Sequence, residues 1–199
     1  KNLIQKMIVS NKNNDKNKIV DASPLIDKKK KKKSIEKQNQ VRKINSFSKQ
    51  VIVNSPFLNK IFYKVMNDYL YKGQMPFINK YLICDSINGC AFLIKAQVFE
   101  INNYFDEGTF LFFEEIILGR QLKSMGYQCV LDGFSCLKHL QGLSTKSHKN
   151  KYNVRMEREK VKSEIYYFRK YYKKPNIFLY LLTFIRHLEI YLVGIIRRK

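Results

Sequence analysis

The sequence predicts an α/β fold with a basic helical tail. Three observations carry this. Strand-like and helical patterns alternate between residues 90 and 138, which favours packed layers of sheet and helix. The 199 residues suffice for one compact domain with tails. Charge is segregated: the chain carries a net +22, yet residues 81–145 hold seven acidic side chains against four basic ones. That acidic island contains the best-patterned stretch of the sequence.

The elements follow in order. Residues 1–50 are rich in Lys and Asn, and within them "KIVDASPLI" reads as a buried strand ending at Pro24. Lys28 to Lys33 are six consecutive lysines that repel one another, so residues 27–50 are expected as an exposed mobile loop. From Pro56 to Tyr71, Phe57, Leu58, Ile61, Phe62, Val65, Met66, Tyr69 and Leu70 fall at helical spacing. They predict one amphipathic helix that ends at Gly73 and buries its aromatic stripe. Gly89 precedes a short apolar strand, Cys90 to Ile94, and a helical turn follows at Gln97–Ile101.

"EEIILGRQLKSMG" places Leu118, Leu122 and Met125 on one face, with Lys123 near its C-terminus and Gly126 as cap. "YQCVL" and "FSCLKHL" read as two strands divided by Asp132 and Gly133. Beyond residue 145, "KYNVRMEREKVKSEIYYFRKYYKK" is helical until Pro175. The last segment has a longest uncharged run of 11 residues, Pro175 to Ile185, too short at 1.5 Å per residue for a bilayer of ~30 Å. Asn176, Thr183, Arg186, His187, Gly194 and Arg197 share one side of this helix. Two placements fit that pattern: a helix in a membrane interface with its terminal cations on anionic headgroups, or a helix packed on the protein's own core.

Cys84, Cys90, Cys129 and Cys136 lack the Cys-x-x-Cys spacing of a structural zinc site and read as buried thiols. The overall charge suggests an anionic partner. Its concentration in the tails, away from the patterned region, argues against nucleic acid and leaves a membrane surface as the expected partner. That alternative of a nucleic-acid-binding protein rests on the lysine run and on "YYFRKYYKK", where aromatics interleave with basic residues. A non-catalytic membrane-surface module is the third class.

Glu114 and Glu115 pose the central question. A carboxylate in the first turn of a helix opposes the partial positive charge there, worth about 0.3–1 kcal/mol. Two adjacent ones behind Phe112 and Phe113 suggest more, because a partly dehydrated carboxylate at a loop-to-helix junction is placed for general-base work. His139 closes the following strand and a Gly/Ser loop lies beside it.

These residues carry a resemblance. Residues 86–144 contain Gly89 at the entry to an apolar strand, Phe105-Asp106-Glu107, Glu114-Glu115 after an aromatic run, Leu118 with Arg120, Gly126-Tyr127, and His139 with Ser144. In that order the stretch resembles the C-terminal half of the catalytic domain of bacterial family 2 inverting glycosyltransferases, especially rhamnosyltransferase-like enzymes of cell-surface polysaccharide synthesis. The resemblance implies a GT-A-like, Rossmann-like domain over residues 1–145 followed by C-terminal helices over 146–199. It implies Glu115 as catalytic base with Glu114 beside it, substrate contacts at Gly89, Asp106, Arg120 and Ser144, and His139 at a divalent cation, Mg2+ or Mn2+. It implies a nucleotide-sugar donor, a glycan or lipid-linked acceptor, and a cytoplasmic location at the inner membrane face. The family has Asp at the position of Glu115 and a metal-binding Asp-x-Asp, which this sequence lacks. With Lys and not Met at residue 1, the chain is expected to be the acceptor-side part of a longer enzyme.

Overall fold

The computed structural model describes residues 19–29, 35–37, 41–75, 79–89, 91–138 and 152–197. The fold is mixed α/β. It divides into two compact units, Lys1–Ile44 with Asn67–Phe105 and Glu115–Leu143, and Asn45–Met66 with Asp106–Glu114 and Ser144–Lys199. The units thus interleave along the chain instead of meeting once near residue 145.

In the first unit, β1 (Ile19–Lys29) runs parallel to β7 (Gln128–Lys138), and β4 (Tyr81–Cys84) pairs antiparallel with β7. Two short strands, β2 (Ile35–Lys37) and β6 (Leu93–Ile94), pair antiparallel with different stretches of β1. A separate ribbon joins β3 (Val41–Arg42) to β5 (Ser86–Ile87). The expected end of a strand at Pro24 is not observed. β1 continues to Lys29, and the ladder instead shifts register after Pro24, where its partner jumps from Asp132 to Cys136. Proline has no amide to donate, and a sheet accommodates that loss at a bulge. The Asp132-Gly133 pair therefore forms a bulge within one strand and not a turn between two. Gly133 stays bonded on its other side, to Lys80 and Asn79.

The expected loop at 27–50 is corrected in the same way. Val41 is wholly buried and Gln50 is 1 % exposed, and residues 35–37, 41–42 and 47–50 belong to strands or helix. The lysine-rich composition of this stretch hid the buried positions Val41 and Gln50.

Leu82, Ile87, Val98, Leu118, Leu122 and Leu131 form the heart of this unit's core. Each contributes about 1.5–3 kcal/mol by leaving water. Val98 comes from α4 (Ala96–Ile101), and Leu118 and Leu122 from α5 (Glu114–Ser124). The helix ends as its sequence directs: Gly126 takes a left-handed φ of 81°, and the amides of Gly126 and Tyr127 bond back to the carbonyls of Lys123 and Leu122. Cys84 and Cys129 are buried thiols, and Cys84 Sγ donates to the Cys129 carbonyl at 3.7 Å.

The second unit is helical. It contains α1 (Phe47–Asn54), α2 (Leu58–Ile61), α6 (Val154–Tyr172) and α7 (Asn176–Ile196). The single helix predicted from Pro56 to Tyr71 is broken. Phe62 leaves helical geometry between α2 and α3 (Tyr63–Tyr69), and Ile61 and Phe62 are exposed while only Tyr69 to Tyr71 are buried. The side chain of Asn153 caps α6 by accepting from the Met156 amide at 3.2 Å. Tyr167 and Phe168 of α6 are fully buried, and the Phe47 ring meets Phe168 edge-on at 4.9 Å.

The helix α7 turns Leu179, Leu182, Arg186, Glu189 and Ile190 inward. Arg186 is 3 % exposed and grips Glu164 with two bonds of 2.8 Å, Glu189 with one of 2.8 Å, and the carbonyl of Val51 with a fourth. Asn54 also donates to Glu164, and Ser55 to Glu189. Burial pulls the guanidinium pKa down, but the bonds and charges of Glu164 and Glu189 outweigh it and hold it above the ordinary arginine value.

Candidate active site

Glu115 occupies the first turn of α5, and its carboxylate is held from two sides. The Gly89 amide donates to Oε1 at 3.1 Å, and Arg42 Nη1 lies 3.6 Å from Oε2. Glycine leaves room for this contact, since a Cβ at residue 89 would stand 2.9 Å from both Cγ and Oε1 of Glu115 and the side chain would have to shift. The backbone around the site is equally constrained. Ser86 Oγ donates to the Glu115 carbonyl at 2.9 Å, and Gly119 lets α5 approach so closely that a Cβ there would meet the Asp85 carbonyl at 2.2 Å. The strand end, the glycine and the helix start thus fix one carboxylate. Its side chain is 22 % exposed, so it is partly open to solvent.

The rings in front of the pair do something else than expected. Phe112 and Phe113 both adopt left-handed φ angles, 68° and 71°, a conformation that costs about 1–2 kcal/mol for an L-residue. Phe113 packs its ring on Tyr167 at 5.4 Å and Phe112 is 38 % exposed. Among the described residues, a peptide amide and a guanidinium meet the Glu115 carboxylate. Consecutive strained residues before a helix are typical of sites whose geometry is held for function.

Of the residues singled out in the sequence, Gly89 and Glu115 are brought together. Arg120 is partly buried on α5, five residues on and so about 140° around the helix from Glu115. Glu114 and Asp106 belong to the second unit. There Asp106 accepts from Tyr166 at 2.6 Å, Lys170 at 2.9 Å, the Gly108 amide at 3.0 Å and the Tyr171 hydroxyl, with its side chain 4 % exposed. Those donors take up both oxygens, so Asp106 acts as a structural anchor instead of a substrate contact. Gly108 permits it, since a Cβ would fall 1.9 Å from the Tyr166 ring. His139 and Ser144 lie outside the described residues.

Sequence reasoning missed Arg42 and Asp85. Asp85 receives the Ile44 amide at 2.9 Å and Lys123 Nζ at 2.6 Å, and its own amide donates to the Tyr71 hydroxyl at 3.2 Å. Burial, and then the Asp85 charge, push the Tyr71 hydroxyl far above its usual pKa. The lone Asp inside "YLICDS" was the available signal, because a charge amid apolar residues needs partners. A cavity of about 340 Å³ opens beside Asp85 and Lys123, at the C-terminal half of α5 and away from Glu115.

Among the described residues, no three His, Cys, Asp or Glu side chains gather to hold a metal ion. His139, which the resemblance places at a divalent cation, lies outside those residues. No protein-family model, curated protein or solved structure matches this chain.

Proposed function

We propose that the chain supplies the acceptor side of an inverting glycosyltransferase with a GT-A-like fold. It would transfer a sugar from a nucleotide-sugar to a glycan or lipid-linked acceptor in cell-surface polysaccharide synthesis, at the inner face of the membrane. The observation that supports this reading is the held carboxylate of Glu115, fastened by the Gly89 amide at a strand-to-helix junction. Glu115 Oε2 takes the proton of the acceptor hydroxyl. The freed oxygen attacks the anomeric carbon, and the bond to the nucleoside diphosphate breaks on the opposite face with its electron pair. Arg42, 3.6 Å from the same oxygen, orients the carboxylate.

The test is release of nucleoside diphosphate by the full-length gene product, supplied with a donor panel and a lipid-extract acceptor. Glu115→Gln removes the base and should cut turnover by about 10²–10⁴ with an unchanged melting temperature. Equal turnover in the variant, or none in the wild type with any donor, overturns the proposal.

A further inference from the structure

We infer that the outward face of α7, with the groove between α6 and α7, docks onto an anionic lipid bilayer, the groove receiving a headgroup phosphate. The helix is long and apolar enough to cross a membrane by length and composition. Its two buried charges are spoken for: Arg186 donates to Glu164, Glu189 and the Val51 carbonyl, and Glu189 accepts from Ser55, inside the unit, which holds α7 against α6 and α1. Spanning would strip those charges of their partners.

The opposite side is apolar and uncovered among the described residues. Ile177, Leu181, Phe184, Leu188, Leu192 and Ile195 are each between 41 % and 75 % exposed and recur every three or four residues. They make a stripe about 27 Å long. An apolar stripe of that length over an anchored side is the form of a helix lying in a membrane interface.

Charge identifies the occupant. Along one flank of the stripe runs a groove of about 770 Å³, edged by Arg155, Arg158, Lys162 and Arg169 of α6 and by His187 of α7. Glu159 offsets one of these cations, pairing with Lys162 at 2.8 Å. Tyr180 and Tyr191 stand on the stripe at its groove-side border and are 67 % and 65 % exposed, the place where tyrosine favours a lipid–water boundary. A second copy packed symmetrically on the stripe would bring two sets of these cations together. An anionic bilayer satisfies stripe, tyrosines and cations at once.

This inference shares only the membrane location with the proposed transferase and needs no chemistry at Glu115. Flotation of the full chain with phosphatidylcholine vesicles, with and without phosphatidylglycerol, tests it. Wild type and Glu115→Gln should bind the anionic vesicles equally, and added salt should weaken binding. Arg158→Gln/Arg169→Gln should lower binding to anionic vesicles about twenty-five-fold, at about fivefold per cation. Phe184→Asp/Leu188→Asp, both exposed, should abolish binding with an unchanged circular dichroism spectrum. Equal binding to neutral and anionic vesicles overturns the inference, as does full binding by the Phe184/Leu188 variant. A wild type that stays with the buffer and sediments as a dimer, broken by that same variant, assigns the face to a second copy instead.

Discussion

Replacing Asp106 with Asn tests the anchor that ties the loop before α5 to α6. Oδ1 accepts from Tyr166 and Gly108, and Oδ2 from Lys170 and Tyr171. An amide keeps one acceptor oxygen, so whichever way it turns, two of the four donors face an NH2 group. Bonds to charged groups contribute about 1.5–3 kcal/mol each, and losing two at the lower figure gives about 3 kcal/mol. For a chain of this length that is a fall of about 6–12 °C in melting temperature.

The difference should also depend on pH. Burial alone would raise the Asp106 pKa, but the hydrogen bonds from Tyr166, Tyr171 and Lys170 outweigh it and hold the carboxyl well below the usual range. The unfolded carboxyl titrates near about 3.9. The folded pKa is the lower one, so this stabilisation is complete above the unfolded pKa and is lost as pH falls through the folded pKa. Thermal melts at pH 7 and pH 5 should therefore show the same gap between wild type and Asp106→Asn, and melts near pH 3 a smaller one. Equal melting temperatures at pH 7, or a gap that widens in acid, would refute the reasoning.

Other perturbations read different parts of the molecule. Arg186→Met leaves Glu164 and Glu189 buried without their cation and should cost about 3–5 kcal/mol in urea unfolding, with Glu164→Gln/Glu189→Gln added to it recovering part of the loss. Gly119→Ala should destabilise by about 1–3 kcal/mol despite alanine's better helix propensity, because its Cβ would lie 2.2 Å from the Asp85 carbonyl; a higher melting temperature would contradict the packing. Lys173→Gly should raise stability by about 1 kcal/mol, since exposed Lys173 ends α6 at a left-handed φ of 50°, and a lower melting temperature would count against that account. The thiols of Cys84 and Cys129 should react with a thiol reagent only after unfolding, and rapid labelling of the native chain would refute their burial.

Local rules made α5 and α6 legible. α5 carries its acid start, its apolar face and its Gly126 cap within thirteen residues, and α6 needs only its alternating charges and the break at Pro175. Where long-range pairing decided the outcome, the sequence misled. β1 runs through Pro24 because β7 supplies a bulge opposite it, and no window around Pro24 contains β7. The α7 wheel showed its polar side, but not that Glu164 would draw Arg186 inside. At the site, Gly89 was readable as a close approach of backbone, and its amide meets Glu115 at the start of α5. Arg42 was hidden because it reaches Glu115 through a two-residue ribbon, and Asp106 misled because its partners lie some sixty residues downstream in α6.

The parallel pairing of β1 with β7 sets the order of assembly. Ile19 meets Gln128, so 109 residues separate the two edges that must zip together. At about 5–20 residues per second, a ribosome needs several seconds or more to deliver the second edge after the first. Through that interval the earlier strand has no β7 to receive its ladder. The α6–α7 hairpin, by contrast, closes through neighbours in sequence, so helix docking should be the fast event and sheet completion the slow one. Nascent chains would then be most vulnerable to edge-to-edge association before the β7 segment emerges.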